Sequence, residues 1–108
     1  MQGHTGHILI LSTCPDSGVA EDLAQALVAA RLAACVNIIP GIASRFRWQG
    51  RIEPADEHLL IIKTTHGRYP DVEKMIRSMH PYELPEIISV PVAGGLAEYL
   101  GWIDQETR

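Results

Sequence analysis

Hydrophobic positions along this chain switch between three spacings. From Ile8 to Leu11 the apolar residues run without alternation, as expected of a short strand covered on both faces. Pro15-Asp16-Ser17-Gly18 breaks the run. Asp16 or Ser17 can accept hydrogen bonds from the free amides of a first helical turn, and Glu21 and Asp22 suit the positive end of its dipole. Val19, Leu23, Ala26, Leu27 and Ala30 then recur at helical spacing, with alanine filling the gaps. So small a face implies close packing onto a sheet, and the helix should end near Leu32.

The pattern next changes to a period of two. Ile42, Ser44, Phe46 and Trp48 fall on one face, and Ala43, Arg45, Arg47 and Gln49 on the other. After Gln49-Gly50, the block Leu59-Leu60-Ile61-Ile62 reads as a strand buried on both faces. Gly50 suits a two-residue hairpin turn. The fifteen residues from Ala34 to Trp48 would reach about 50 Å fully extended, whereas a globule of this length is only about 34 Å across. The hairpin must bend at Pro40-Gly41, project from the body, or do both. A projecting arm that carries Phe46 and Trp48 calls for cover from another copy of the chain.

Helical spacing returns after Gly67. Pro70 suits the first turn, Asp71 and Glu73 the dipole, and Val72, Met75, Ile76 and Met79 make an i, i+3, i+4, i+7 stripe. Glu73 and Arg77 are spaced for a favourable pair. HPYELPE forms a loop bracketed by Pro81 and Pro85, and Ile87-Ile88-Ser89-Val90 reads as a fourth strand closed by Pro91. Gly94-Gly95 allows a reversal into a last helix with Leu96, Tyr99, Leu100 and Ile103 on one face. The order is βαββαβ plus a terminal helix, and its default packing is an α+β, ferredoxin-like sandwich with a long hairpin between strands two and three. Right-handed crossovers make strands one and two parallel, with strand three antiparallel to them.

Composition narrows the functional classes. The 108 residues suit a single domain, with residues 1–6 expected as a flexible tail carrying His4 beside His7. A net charge of −4 and a pI near 5.6 argue against nucleic acid as the main partner. The residues after MQGHTGH form neither a signal peptide nor a membrane span, which points to the cytoplasm. Cys14 follows strand one and Cys35 begins strand two, so parallel strands place these cysteines at opposite sheet ends, about 20 Å apart and beyond disulfide reach.

The same topology returns HPYELPE to the Cys14 end, where Cys14, His80, Glu83 and Glu86 can converge. Thiolate and imidazole favour Cu or Zn over Mg, although the spacing matches no standard metal motif. The competing view makes Cys14 a small packing residue and His80 a helix-end residue that serves free carbonyls. Lys63, at the end of an apolar strand, suits an anion, an ion pair with Glu86 of a neighbouring copy, or a snorkelling side chain. Asn37, Tyr82, Tyr99 and Trp102 are polar-tipped or amphipathic residues suited to an intersubunit cleft or to plain interface packing. Trp48 and Arg51 face each other across the turn, in reach of a cation–π contact. His58 and His66 show no evident partners and read as surface residues.

LAACVNIIPGIASRFRWQGRIE, LLIIKTT, HPYELPEIISVPV and YLGWI together resemble the CutA family of divalent-cation tolerance proteins. The four motifs occur in the family's order, and the similarity extends from about Ile8 to Ile103. The resemblance implies a ferredoxin-like fold, a tight homotrimer joined through the hairpins and terminal segments, a cytoplasmic bacterial protein, and no enzymatic activity. It also implies a link to copper tolerance, with copper or another divalent cation bound by some members, and animal members are linked to acetylcholinesterase anchoring. One bacterial member is assigned copper ligands at a first-strand cysteine and two adjacent histidines before Pro-Tyr. Here Ser12 and Met79-His80 stand at those places, so His80 alone carries over. Cys14 stands two residues beyond Ser12, and Met79 is either a thioether donor or part of the apolar stripe.

Three functions follow from these readings. The first is a trimeric metal-tolerance protein that binds copper or a similar ion. The second is a trimeric regulatory module, like the nitrogen-regulatory trimers of similar topology, that binds a small anion or a partner protein. The third, an acylphosphatase-like enzyme, is disfavoured because Cys14-Pro15-Asp16 offers no arginine to hold a phosphate. RNA binding is disfavoured too, since the central strands lack exposed aromatics.

Overall fold

A computed structural model describes residues 4–108. Four strands, β1 (His7–Cys14), β2 (Cys35–Trp48), β3 (Arg51–Thr65) and β4 (Ile88–Pro91), form one sheet in the order β2-β3-β1-β4. Every neighbouring pair is antiparallel, so β1 and β2 run parallel with β3 between them. Three helices complete the chain: α1 (Ser17–Ala29), α2 (Tyr69–Met79) and α3 (Ala97–Glu106). This is the ferredoxin-like arrangement. None of the helices is long and apolar enough to cross a membrane.

Alternation along the central strands separates two unlike faces. Ile8, Ile10 and Cys14 of β1 and Leu60 and Ile62 of β3 pack against Ala20, Leu23 and Leu27 of α1 and Val72 and Ile76 of α2. The other face carries Leu9, Leu11, Leu59, Ile61, Ile88 and Val90, none of them fully buried. Neither helix α1 nor α2 covers that second face.

Asp16 caps α1 by accepting a hydrogen bond from the Val19 amide at 2.9 Å. Glu21 and Asp22 lie beyond the first turn, so the cap is made by Asp16. The helix stops at Ala29, three residues before Leu32, because Arg31 turns into the left-handed region at φ 61°. The Arg31 and Leu32 amides then satisfy the Val28 and Leu27 carbonyls at 3.0 Å. Arginine is an unusual residue for that conformation. Its guanidinium is held by the carboxyl end of α3, donating to the Gln105 carbonyl at 2.6 Å and the Arg108 carbonyl at 3.2 Å.

Several local expectations change in the folded chain. Met79 is exposed, so Val72 and Ile76, with half-buried Met75, make the core stripe of α2. The Glu73 carboxylate accepts from Tyr69 Oη at 2.8 Å, so Arg77 is not its partner. Ile103 is the buried residue of α3, whereas Leu96 and Tyr99 are exposed. The first three residues of the expected tail lie outside the described ones. Thr5 and Gly6 are tied down, through Thr5 Oγ1 to the Val92 carbonyl and the His66 amide to the Gly6 carbonyl. His7 is no tail residue either: it is buried at the start of β1, with Nε2 2.9 Å from the Asp104 carboxylate.

The hairpin both bends and projects. At Ile39–Ile42 the ladder slips, leaving Pro40 and Gly41 opposite His58 alone, with Gly41 at φ 77°. This bulge inverts the alternation of β2. Cys35, Asn37 and Ile39 before it share the open face with Ile42, Ser44, Phe46 and Trp48 after it. Gln49 and Gly50, both at positive φ, close a two-residue turn. The molecule measures 44 × 30 × 23 Å, longer than a round globule of its size.

Candidate functional site: a groove between the hairpin and the 80–86 loop

Folding back after α2, residues 80–86 lie across the end of β1 and against the base of the hairpin. His80 anchors the turn. Its Nε2 donates to the Thr13 carbonyl at 2.7 Å, and its Nδ1 accepts the Tyr82 amide at 3.1 Å. A carbonyl needs a donor and an amide needs an acceptor, so the ring is the neutral Nε2–H tautomer. The Tyr82 ring stacks at a tilt on His80, with centroids 4.7 Å apart.

Tyr82 reaches from this turn to β3, where its hydroxyl donates to Glu57 Oε2 at 2.8 Å. Glu57 is an odd-numbered β3 residue on the open face, and it is only 6% exposed. No lysine or arginine among the described residues lies within ion-pair distance of it. Burial, with the Glu57 hydrogen bond and charge behind it, pushes the Tyr82 hydroxyl up to about 12. Glu86 is raised from the usual carboxylate value by desolvation and by the Glu57 charge. Between loop and hairpin lies an open groove of about 970 Å³, walled by Phe46, Trp48, Glu57, Tyr82, Leu84 and Glu86.

The four residues expected to converge on a metal are placed in different settings. Glu83 and Glu86 line the groove. His80 has both ring nitrogens engaged in structural hydrogen bonds. Cys14 is fully buried and points to the helix-covered side of β1, with its thiol pushed up to about 11 by burial and by the Asp16 and Glu57 charges. Among the described residues, no three histidine, cysteine, aspartate or glutamate side chains are grouped to hold a metal ion. As arranged in one chain, Cys14, His80, Glu83 and Glu86 do not fit a copper centre.

The proposed cleft residues divide as well. Tyr82 belongs to the groove, whereas Lys63, Tyr99 and Trp102 gather at the far end of the open face. The Lys63 ammonium lies 5.8 Å from the Tyr99 ring centre, and the Tyr99 and Trp102 rings are 5.5 Å apart. Lys63 has no carboxylate partner among the described residues. Asn37, exposed opposite Ile61, sits between these two places. At the hairpin tip Arg51 pairs with Glu53 at 3.5 Å, and its cation–π contact with Trp48 does not form.

Sequence reasoning missed Glu57, the most buried acid of the groove. Its signal was available: a carboxylate two residues before an apolar block, in phase with the open face. It also placed His58 on the surface, yet that residue stands directly opposite Cys14, with Nδ1 buried.

Residues 8–106 match the family model described as CutA1 divalent ion tolerance protein. This chain belongs to the CutA family. It is 46% identical over 99 residues to the divalent-cation tolerance protein CutA of Thermus thermophilus, covering 92% of this chain and 96% of that one. The mouse Protein CutA is 47% identical over 96 residues, 89% of this chain, and the chain spans about half (54%) of that relative's length. The crystal structure of CutA from Xylella fastidiosa superposes with a TM-score of 0.94 at 46% identity, covering 96% of this chain and all of that one. The family model and the Thermus relative are named for tolerance to divalent cations rather than for catalysis.

Proposed function

We propose that this CutA-family chain is the subunit of a cytoplasmic homotrimer serving divalent-cation tolerance, copper included, with its binding cleft formed between copies. One observation carries this reading: uncompensated charges of opposite sign stand at opposite ends of the same open face. Among the described residues, Glu57 and Glu86 at the groove end make no ion pair, although Arg45 and Arg47 also line the groove, and Lys63 at the other end makes none with a carboxylate. A head-to-tail ring brings the Lys63 end of one copy to the groove of the next. The apolar residues left open on that face, with Phe46, Trp48 and Ile52 of the hairpin, supply surface for the contact. Two unpaired cysteines are consistent with a reducing compartment.

Within that cleft the carboxylates of Glu57, Glu83 and Glu86 and the Tyr82 hydroxyl are oxygen donors, a set suited to a divalent cation. The second reading, a regulatory trimer that holds a small anion or a partner protein, is favoured by Lys63 over Tyr99. Sedimentation of the purified protein should give three times the chain mass. Calorimetric titration with Cu(II), Mg(II) and Mn(II) should show binding that Glu57→Gln and Glu86→Gln weaken and Lys63→Ala leaves in place. Monomers at micromolar concentration, or titrations indifferent to both glutamates, would overturn the proposal.

A further inference from the structure

Both ring nitrogens of the buried His7 meet an oxygen. Nε2 is 2.9 Å from the Asp104 carboxylate, and Nδ1 is 3.2 Å from Thr5 Oγ1. The single hydroxyl proton of Thr5 is already engaged, because Oγ1 donates it to the Val92 carbonyl at 2.9 Å. Thr5 Oγ1 can therefore only accept from Nδ1, just as a carboxylate can only accept from Nε2. Two acceptors require two ring protons, so this arrangement holds His7 as the imidazolium. His80 is the opposite case, with a carbonyl on one nitrogen and an amide on the other.

We propose that His7 is a proton-operated latch: charged, it ties α3 and the segment before β1 to the sheet, and neutral, it loosens α3 and shifts the Tyr99–Trp102 pair away from Lys63. Either tautomer of the neutral ring sets two lone pairs against each other, at Thr5 Oγ1 or at Asp104. Thr5 is fixed by Val92 and by the His7 amide, whereas the Asp104 side chain is half exposed and can turn to water. The Asp104 contact is therefore the one that opens. Tyr99 and Trp102 stand on the same helix, within two turns of Asp104. The Arg31 and Arg68 guanidiniums keep hold of the Gln105, Thr107 and Arg108 carbonyls, so α3 pivots on its last turn rather than leaving.

The charged groups around the ring come from three elements. From β3, Thr65 faces His7 directly, and Lys63 stands diagonally on the same side of the sheet as a like charge. From the turn after β3, His66 is exposed, and Arg68 is engaged by the Thr107 carbonyl at 2.7 Å and the Asp71 carboxylate at 3.7 Å. From α3 come Asp104 and Glu106, the latter 3.9 Å from Arg31. The chain after β4 contributes Val92, which carries no titratable group. Among the described residues, Asp104 is the one ion-pair partner of His7.

The latch closes within one chain and needs neither a second copy nor a bound cation, so it stands apart from the cleft proposed above. The test is nuclear magnetic resonance of the full chain between about pH 6 and pH 9, the range in which histidine charge changes. Three signals are followed in wild type, His7→Gln, Asp104→Asn and His66→Ala: the His7 ring nitrogens, the Trp102 indole, and amide exchange along α3. In wild type both His7 nitrogens should carry a proton at the acid end. As the ring loses one, the Trp102 indole should shift with the same midpoint, and exchange in α3, corrected for its intrinsic pH dependence, should quicken about tenfold or more. Asp104→Asn and His7→Gln should show the fast exchange at every pH, and His66→Ala should follow wild type. If His7→Gln fails to fold, Asp104→Asn and the wild-type titration decide. A His7 ring with one proton throughout overturns the proposal. So does an α3 indifferent to the His7 titration, or an Asp104→Asn chain that keeps the wild-type pH response.

Discussion

The two sides of β1 are built for opposite purposes. Ile8, Ile10, Ser12 and Cys14 face helices α1 and α2 and are buried, while Leu9, Leu11 and Thr13 face the open side and are not. On the covered side, the apolar side chains are buried by packing within one chain, and Ser12 Oγ and His58 Nδ1 are left without hydrogen-bond partners. On the open side, apolar residues and the projecting hairpin are only partly covered, and Glu57 and Lys63 make no ion pair among the described residues. One strand thus separates the face that the chain's own helices cover from the face on which association and binding are proposed.

The sharpest way to break that contrast is at the hairpin. Replacing Trp48 and Ile52 together by glutamate should convert the proposed trimer to monomers in sedimentation, with the circular dichroism of the fold retained. Loss of the folded signal instead would mean that the arm belongs to the core. Next comes the covered face. Ile10→Ala or Leu60→Ala should each cost about 2–5 kcal/mol in chemical denaturation, since both side chains are fully buried. Ile88→Ala on the open face should cost well under half as much when measured on dissociated chains.

Tyr82→Phe should be of middle size, about 1–3 kcal/mol, because it leaves the nearly buried Glu57 carboxylate without its donor. It also changes the alkaline limb of stability. Cys14 is raised from 9.0 to about 11, and Tyr82 from 10.0 to about 12. Groups raised in the folded state support stability that is complete below their ordinary values and lost as the pH climbs through the folded ones. Wild type should therefore weaken progressively between about pH 9 and 12, and Tyr82→Phe should lose the upper part of that dependence. The smallest effect is expected at Arg31→Ala, about 1 kcal/mol in thermal melts. It removes a cation from the α3 carboxyl end without disturbing either face of the sheet.

Much of the architecture was readable from local pattern. Asp16 as helix cap, the Gln49-Gly50 turn and the helical spacing of Val72 and Ile76 each depend on residues within a few positions of one another. The order βαββαβ and the separation of Cys14 from Cys35 followed from them. Cys14 faces His58 and Cys35 faces Lys63, five residues apart along β3. The site was less legible. His80 looked like a free ligand, but whether its nitrogens are free depends on Thr13, a residue 67 positions away. Met79 continued a helical stripe, yet its side chain is exposed in the folded chain.

The sequence by itself determined the elements, their order and a hairpin too long for its globule, because periodicity, capping and turn chemistry act over short distances. The tertiary structure decided which face each strand turns inward and who satisfies whom. The two-against-one bulge at Pro40-Gly41 carries the stripe ending in Phe46 and Trp48 onto the open face. The β1–β3 register sets His58 against Cys14, and the 80–86 turn lays Tyr82 on Glu57. Such pairings depend on register between distant segments, and a slip of one residue would reverse every one of them.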